Sequence, residues 1–384
     1  MQKVILFILG FIIVTSFTGP EWGFYGHRKI NRMSVFTLPP EMLGFYKKNI
    51  EYITEHAVDP DKRRYATKHE AVRHYIDVDH WGTYPFDNVP RQYVDAVLKF
   101  GELFFVDSRG DSTIVDLEGT FFDHDAKDSI RKRLNYALYT DPDSPWNFDV
   151  PSKNGSICIK DKFSEFGILP YWLLRFQRQL TKAFERKDSK TILRISADMG
   201  HYIGDAHVPL HTTENYNGYM SDQVGIHAFW ESRIPELFAE EEFDFYVGKA
   251  EYIENKREYF WDVVLESHSL LDEVLGYEKE LSKTFPEDKQ WCYDERLDRT
   301  IRIQCPEYAE AYKDAMKGMV EERMRDAILS IGSVWYTSWV DAGQPDLEFM
   351  RLAASKDEKK SAEELNQLFK SGSIKGREHD NGRN

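Results

Sequence analysis

Cysteine is scarce: the 384-residue chain carries three, Cys158, Cys292 and Cys305. That excludes a small disulfide-built scaffold, and the absence of a CxxC pair excludes thiolate zinc sites of the finger or ribbon kind. In an oxidising compartment Cys292 and Cys305 can pair across a short loop, a pairing the sequence leaves open. Positive charge is also in short supply, with 50 Lys and Arg against 65 Asp and Glu and a formal net charge of −15. Such a chain opposes non-specific binding to a polyanion unless bound metal ions reverse the balance locally. No internal repeat and no heptad run is present, which excludes solenoids and coiled coils. Long apolar runs are nearly absent too. The exception, Val4 to Val14, follows Lys3 and is too short to span a bilayer comfortably. It has the form of a signal-peptide core, with small Ser16 and Thr18 ahead of a cleavage near Thr18, and no following Cys to take a lipid. Residues 1–18 are therefore read as a signal peptide rather than an anchor, and the mature protein as exported (periplasmic or extracellular), soluble and monomeric.

What the chain does have is apolar and aromatic material, 41% and 14% of its residues, enough for a sizeable core with rings to spare for a cleft. Its patterning is predominantly helical. Helices are expected over Gly26–Phe36, from Pro39-Pro40 to about His56, over Lys68–Ile76, Leu169–Arg186, Ser189–Ala206 and Val224–Arg233 before Pro235, and from Glu307 to about Trp339. Asp188 or Ser189 serves as an N-cap for Ser189–Ala206. Between 100 and 163 the character changes: FFVDSRGDSTIV reads as a hairpin turning at SRGDS, and the rest as loop. This stretch is taken as an elaboration inserted in one helical domain spanning 22–345. Residues 355–384 are charged and poor in aromatics, and read as a disordered tail.

The chemistry gathers in HYIGDAHVPLH, residues 201–211. Ile192, Ile195, Met199 and Ile203 mark the apolar stripe of the Ser189 helix, and His201 and Asp205, four apart, share a nearly opposite face. Ala197, Gly200 and Gly204 leave room for a close approach beside that pair. GIHAFWES repeats the device with His227 and Glu231, while Pro209 puts His211 in a loop. Imidazole nitrogen and carboxylate oxygen are natural zinc ligands. Upstream, HAVDPDKRR offers Asp59 or Asp61, RHYIDVDHW offers His74, Asp77, Asp79 and His80, and WGFYGH offers His27. One such histidine is usually structural; two i, i+4 pairs with an intervening His211 are hard to obtain by chance. His56, His69, His80, His124, His268 and His379 lack that setting and receive no role.

Taken together, WGFYGH, the Asp of HAVD, HYID, HxxxDxHxPLH and HxxxE resemble the zinc-dependent phospholipase C and S1/P1 nuclease superfamily. The likeness covers most of the chain outside 100–163 and the tail. It implies an all-α domain holding up to three zinc ions and hydrolysing phosphate esters with a metal-activated water. Carried over by position, Asp59, His74, His201 and Asp205 match the ligands of one zinc, and His211, His227 and Glu231 those of a second. The third would use His27, a shared Asp205 and the backbone amine and carbonyl of Trp22. Asp61 is the weaker candidate for the Asp59 position, and His207 is not carried over. Trp22 offers a free amine only if processing ends after Glu21; cleavage near Thr18 leaves Gly19 to Glu21 ahead of it.

The resemblance further implies that Asp59 assists proton transfer, that Asp205 bridges two ions, and that Arg64 or Arg63 stabilises the transition state. Glu231 and the GIHAFWE segment look like the phospholipases. The Trp22-x4-His27 spacing looks like the nucleases, for which Tyr75 or Trp81 would stack a base. The expected substrate is a phospholipid; single-stranded nucleic acid is the alternative, and a non-catalytic metal-binding protein the third reading.

Overall fold

The structure is a computed structural model that describes residues 24–115, 128–129, 131–133, 147–152, 155–296, 299–347 and 356–371. It is mostly helical, and no described helix is long and apolar enough to cross a membrane. Residues 1–18 and Trp22 lie outside the described residues.

Six short helices lead: α1 (Phe24–Ser34), α2 (Pro40–Lys48), α3 (Ile50–Glu55), α4 (Asp59–Arg63), α5 (Lys68–Ala71) and α6 (Tyr93–Phe100). Pro40 opens α2 because its fixed φ suits the first helical turn. The single helix expected from Pro39 to His56 is broken at Asn49, whose side-chain amide donates to Phe45 O at 2.8 Å and so competes with the helical bond. The helix expected over Lys68–Ile76 stops at Ala71. Beyond it the backbone bonds outward instead: Ile168 N donates to Val72 O, Asp77 N to Phe166 O, and Ile76 N to His211 O. These bonds carry His74 out of the helix and into the interior.

The inserted stretch forms a four-stranded antiparallel sheet in the order β2-β1-β4-β3, from β1 (Glu102–Asp107), β2 (Ser112–Ile114), β3 (Asn147–Ser152) and β4 (Gly155–Lys160). Phe105 pairs with Thr113 across the β1–β2 hairpin, and Ile157 and Ile159 pack with Val97 and Leu103 in a small core of their own.

The main core surrounds α7 (Leu169–Glu185), α8 (Ser189–Ala206), α9 (Ile226–Ala228), α10 (Ile234–Phe238), α11 (Lys256–Ser269), α12 (Leu271–Thr284), α13 (Pro306–Ala315) and α14 (Met319–Asp341). The long final pattern is thus two helices, parted at Lys317 and Gly318, where φ is +53° and +89° and glycine takes the left-handed turn without strain. Val224–Arg233 likewise differs from a plain helix. Gly225 starts α9, Phe229–Arg233 winds as a π turn, and Pro235 lies in the first turn of α10 instead of ending the run. Trp335 of α14 stacks on Tyr46 at 4.9 Å and donates through Nε1 to Ser196 O, fastening α14 to both α2 and α8. A two-stranded hairpin, β5 (Trp291–Arg296) with β6 (Arg299–Gln304), carries a Cys292–Cys305 disulfide, with Cα atoms 5.0 Å apart.

The disordered tail expected beyond Ser355 is corrected over part of its length: Lys356–Ser371 forms a helix, α15. Its charge hides an apolar edge. Leu365 and Phe369 stand one turn apart, and Phe369 is buried against the rings of Phe24 and Tyr65 at 5.5 and 5.2 Å.

Candidate metal centre

The centre is built where α8, α1 and the turns at 56–58, 74–76 and 209–212 converge. Asp188 caps α8, its carboxylate accepting from Thr191 N at 3.1 Å. From Ile195 to Ala206 every residue of α8 is buried, so its polar face looks into protein and not solvent. The small residues on that face admit α1. A Cβ at Gly200 would stand 1.8 Å from Asn31 Oδ1, and one at Gly204 would stand 2.7 Å from Ile30 Cδ1 and 3.0 Å from His27 Nδ1. The close approach inferred from these glycines is therefore that of a helix, and it delivers His27 to the His201–Asp205 pair. The His27 and His201 rings stack at 3.8 Å.

Four overlapping groups of side chains able to hold a metal ion result: His27, Asp61 and His201; His74, His201 and Asp205; His211, His227 and Glu231; and His27, Asp205 and Glu231. Asp205 divides its oxygens. Oδ2 faces His74 Nδ1 at 3.0 Å and His201 Nε2 at 3.4 Å, while Oδ1 faces His27 Nε2 at 3.4 Å. Glu231 does the same, with Oε2 at 2.6 Å from His227 Nε2 and 3.4 Å from His211 Nε2, and Oε1 at 3.3 Å from His27 Nε2. Seven of the expected ligands are thus brought together: His27, His74, His201, Asp205, His211, His227 and Glu231. Of the other two, Trp22 lies outside the described residues.

Asp59 is the correction. Its carboxylate accepts from His56 Nδ1 at 2.5 Å and pairs with Lys62 at 3.6 Å, away from the cluster. Asp61 turns inward instead, 3.6 Å from His201 Nε2, 3.7 Å from His74 Nδ1 and 3.6 Å from Arg64. The two lie two positions apart in a turn of helix, which places them on different sides of α4. The neighbouring arginines part in the same way. Arg63 bonds Asp198 and Tyr202 and pairs with Glu70, behind the cluster; Arg64, 3% exposed, stays beside Asp61.

The chemistry of the donor set fits a metal. His201 Nδ1 donates to Ala57 O at 2.9 Å and His211 Nδ1 donates to His74 O at 2.6 Å, which leaves both Nε2 atoms as lone pairs aimed inward. Those lone pairs face His74 Nδ1 and His227 Nε2, each at 3.1 Å, together with three carboxylates. Asp205 Oδ2 is buried without a hydrogen-bond partner. Burial, then repulsion from Glu231 and Asp61, pushes the Asp205 carboxyl well above the ordinary range. Burial also favours the neutral form of Asp61 and Glu231. Yet His201, His74 and Arg64 hold Asp61 low, and the adjoining His211, His227 and His27 imidazoles hold Glu231 low. Arg64 offsets part of this charge from the Asp61 side, but buried acceptors converging on one another remain costly. A bound cation would resolve the conflict.

Other expectations fall outside the cluster. His207 Nδ1 bonds Ile203 O and Nε2 meets Ser330 Oγ, and burial, reinforced by Arg323, depresses its pKa to about 3. Asp79 caps the Thr213–Glu214 turn, and His80 bonds Glu214. Tyr75 is buried and donates to Glu165 O; Trp81 packs on Phe100 at 4.3 Å. Neither ring is presented to the cluster. Sequence reasoning missed Glu70 and Tyr202, which lie directly behind His74. A trace of Glu70 was present, since it stands four positions before His74.

No protein-family model matches this chain, and no curated protein matches it.

Proposed function

We propose that the protein is an exported, zinc-dependent hydrolase of phosphate esters with the fold of the phospholipase C and S1/P1 nuclease superfamily, acting as a phospholipase C. The observation that carries this is the division of Asp205 and Glu231, each offering its two oxygens to separate histidine groups within one buried cluster. Nitrogen and carboxylate donors without thiolate suit zinc. His74, His201, Asp61 and Asp205 would hold one ion and His211, His227 and Glu231 another, with His27, Asp205 Oδ1 and Glu231 Oε1 at a third position. Zinc, when bound, polarises a phosphoryl oxygen and makes water acidic enough to react near neutrality.

The chain's own groups do the rest. His201 and His211 are held in one tautomer by backbone carbonyls, so their lone pairs need no reorientation. Asp61 replaces Asp59 as the carboxylate placed to take a proton from the attacking water, its side chain being the most open of the cluster's carboxylates at 21% exposure. The buried Arg64 guanidinium beside it supplies fixed positive charge for the oxygens of the transition state. The disulfide supports the exported reading.

Phospholipid is preferred over nucleic acid because Glu231 is the final acid, the net charge is −15, and Tyr75 and Trp81 are engaged internally. The Trp22–His27 spacing favours the nuclease reading. The deciding assay sets zinc-loaded protein against phosphatidylcholine vesicles and single-stranded DNA in parallel. Diacylglycerol release that stops on chelation is expected. Cleavage of DNA alone reverses the preference, and inertness toward both and toward a generic phosphodiester leaves a non-catalytic metal-binding protein.

A further inference from the structure

His74 faces the cluster differently from its neighbours. His201 and His211 point Nε2 inward and give Nδ1 to a backbone carbonyl, whereas His74 points Nδ1 inward, 3.0 Å from Asp205 Oδ2, and turns Nε2 outward. Behind that outer nitrogen stands a carboxylate oxygen, Glu70 Oε1, at 4.0 Å. Glu70 is 1% exposed and is not drawn into the cluster; it belongs to a second buried assembly on the far side of the ring. Its Oε2 accepts from Arg73 at 2.5 Å, its Oε1 lies 3.4 Å from Arg63 Nε and accepts a short hydrogen bond from the Tyr202 hydroxyl. Arg63 also binds Asp198, one turn before Tyr202 on α8. The assembly thus joins α4, the 70–74 segment and α8, and it carries its own cations, Arg63 and Arg73.

We infer that Glu70 is a positioning residue of the metal centre, fixing His74 with its proton on Nε2 and its Nδ1 lone pair toward Asp205 and Asp61. The inference rests on the reading of His74 as a metal ligand. The physical reason is local. At 4.0 Å the contact is electrostatic and not a formed hydrogen bond, but an anion held there favours the imidazole tautomer that turns N–H toward it. It also raises the basicity of the inner nitrogen, as a carboxylate behind a ligating histidine does generally. Arg73, Arg63 and Tyr202 keep the carboxylate from rotating toward the cluster, where a further anion would add to the repulsion already on Asp205. The rings of Tyr202 and His74 meet edge-on at 5.3 Å, so the same side chain that bonds Glu70 also bounds the imidazole.

The test uses the full chain loaded with Co(II), whose visible spectrum reports ligand geometry, and a chromophoric chelator to measure Co(II) and zinc affinity. Glu70→Gln keeps the shape and removes the charge. It should weaken binding by about 10- to 100-fold and alter the Co(II) spectrum, with the metal-free circular dichroism unchanged. Asp198→Asn, which takes an anion from the same buried assembly without a contact to His74, should leave the spectrum as in the parent. Tyr202→Phe frees one side of Glu70 and should produce a smaller shift in the same sense as Glu70→Gln, which keeps the question open to measurement if Glu70→Gln fails to fold. Parental affinity and spectrum in both Glu70→Gln and Tyr202→Phe would overturn the inference, as would an equal spectral change in Asp198→Asn. His74→Ala separates the two readings: if it leaves Co(II) binding intact, the ligand assignment itself has failed, whatever Glu70 does.

Discussion

Adjacent arginines at 63 and 64 meet opposite fates, and the difference is testable. Arg64 lies beside Asp61 at the cluster, so Arg64→Ala should keep its metal and lose about 100-fold in kcat on a phosphodiester, the scale on which one preformed donor contributes to a transition state. A chelator-competition assay and steady-state kinetics on the same sample check both halves. The carboxylates two positions apart divide in the same way. Asp61→Ala should lower the bound metal per chain, while Asp59→Ala should leave it unchanged, since Asp59 is engaged by His56 and Lys62 and belongs to none of the metal-holding groups; elemental analysis decides. Residue types and spacings made most of this centre legible: His27, His74, His201, Asp205, His211, His227 and Glu231 are all named by pattern. What spacing could not decide was direction. Asp59 and Asp61 are the same residue type in the same turn, and only the path of α4 past the 56–58 turn chooses between them. Glu70 stayed hidden for the opposite reason, because it acts through a ring and not in the cluster.

Among the elements, the decisive contact is α1 against α8. Helix propensity favours alanine over glycine by about 1 kcal/mol, so Gly200→Ala would stabilise α8 in isolation. Here the added Cβ meets the Asn31 amide oxygen at 1.8 Å, and Asn31 is fully buried and committed to Ala197 O and Ile53 O. Overpacking costs about 1–3 kcal/mol and outweighs the propensity gain. The expected result is a lower unfolding midpoint in denaturant, with weaker metal binding as His27 is displaced along with α1. Strongly periodic elements were legible: α7 and α8 end within a residue of expectation because each has an uninterrupted apolar stripe, and α8 has a capping Asp188. Elements decided by tertiary bonds were not. Residues 72–76 carry a helical pattern yet bond to 166–169 and 211, and the π turn around Glu231 leaves no mark in the spacing of His227 and Glu231.

Across the whole molecule, the two ends of the described chain meet at one place. Phe24 opens α1, Phe369 nears the end of α15, and both pack with Tyr65 just beyond Arg64. Composition concealed this, since a charged segment with few apolar residues reads as solvated until a partner surface is known. Deleting residues 356–384 should uncover Phe24 and Tyr65 and cost about 2 kcal/mol, the value of one buried aromatic side chain, seen as a lower melting temperature of the metal-free protein. Calorimetry on the full and shortened chains measures it directly.

That meeting of the ends also sets an order of events in time. Phe24 leaves the ribosome well before Phe369, so the contact between the two rings cannot exist until synthesis has passed α15. The histidine and carboxylate groups span His27 to Glu231 and are complete in sequence well before then, while the helix carrying the earliest of them meets Phe369 only afterwards. The ligand groups around α8 are therefore all made before the Phe24–Tyr65–Phe369 contact can close over the start of α1.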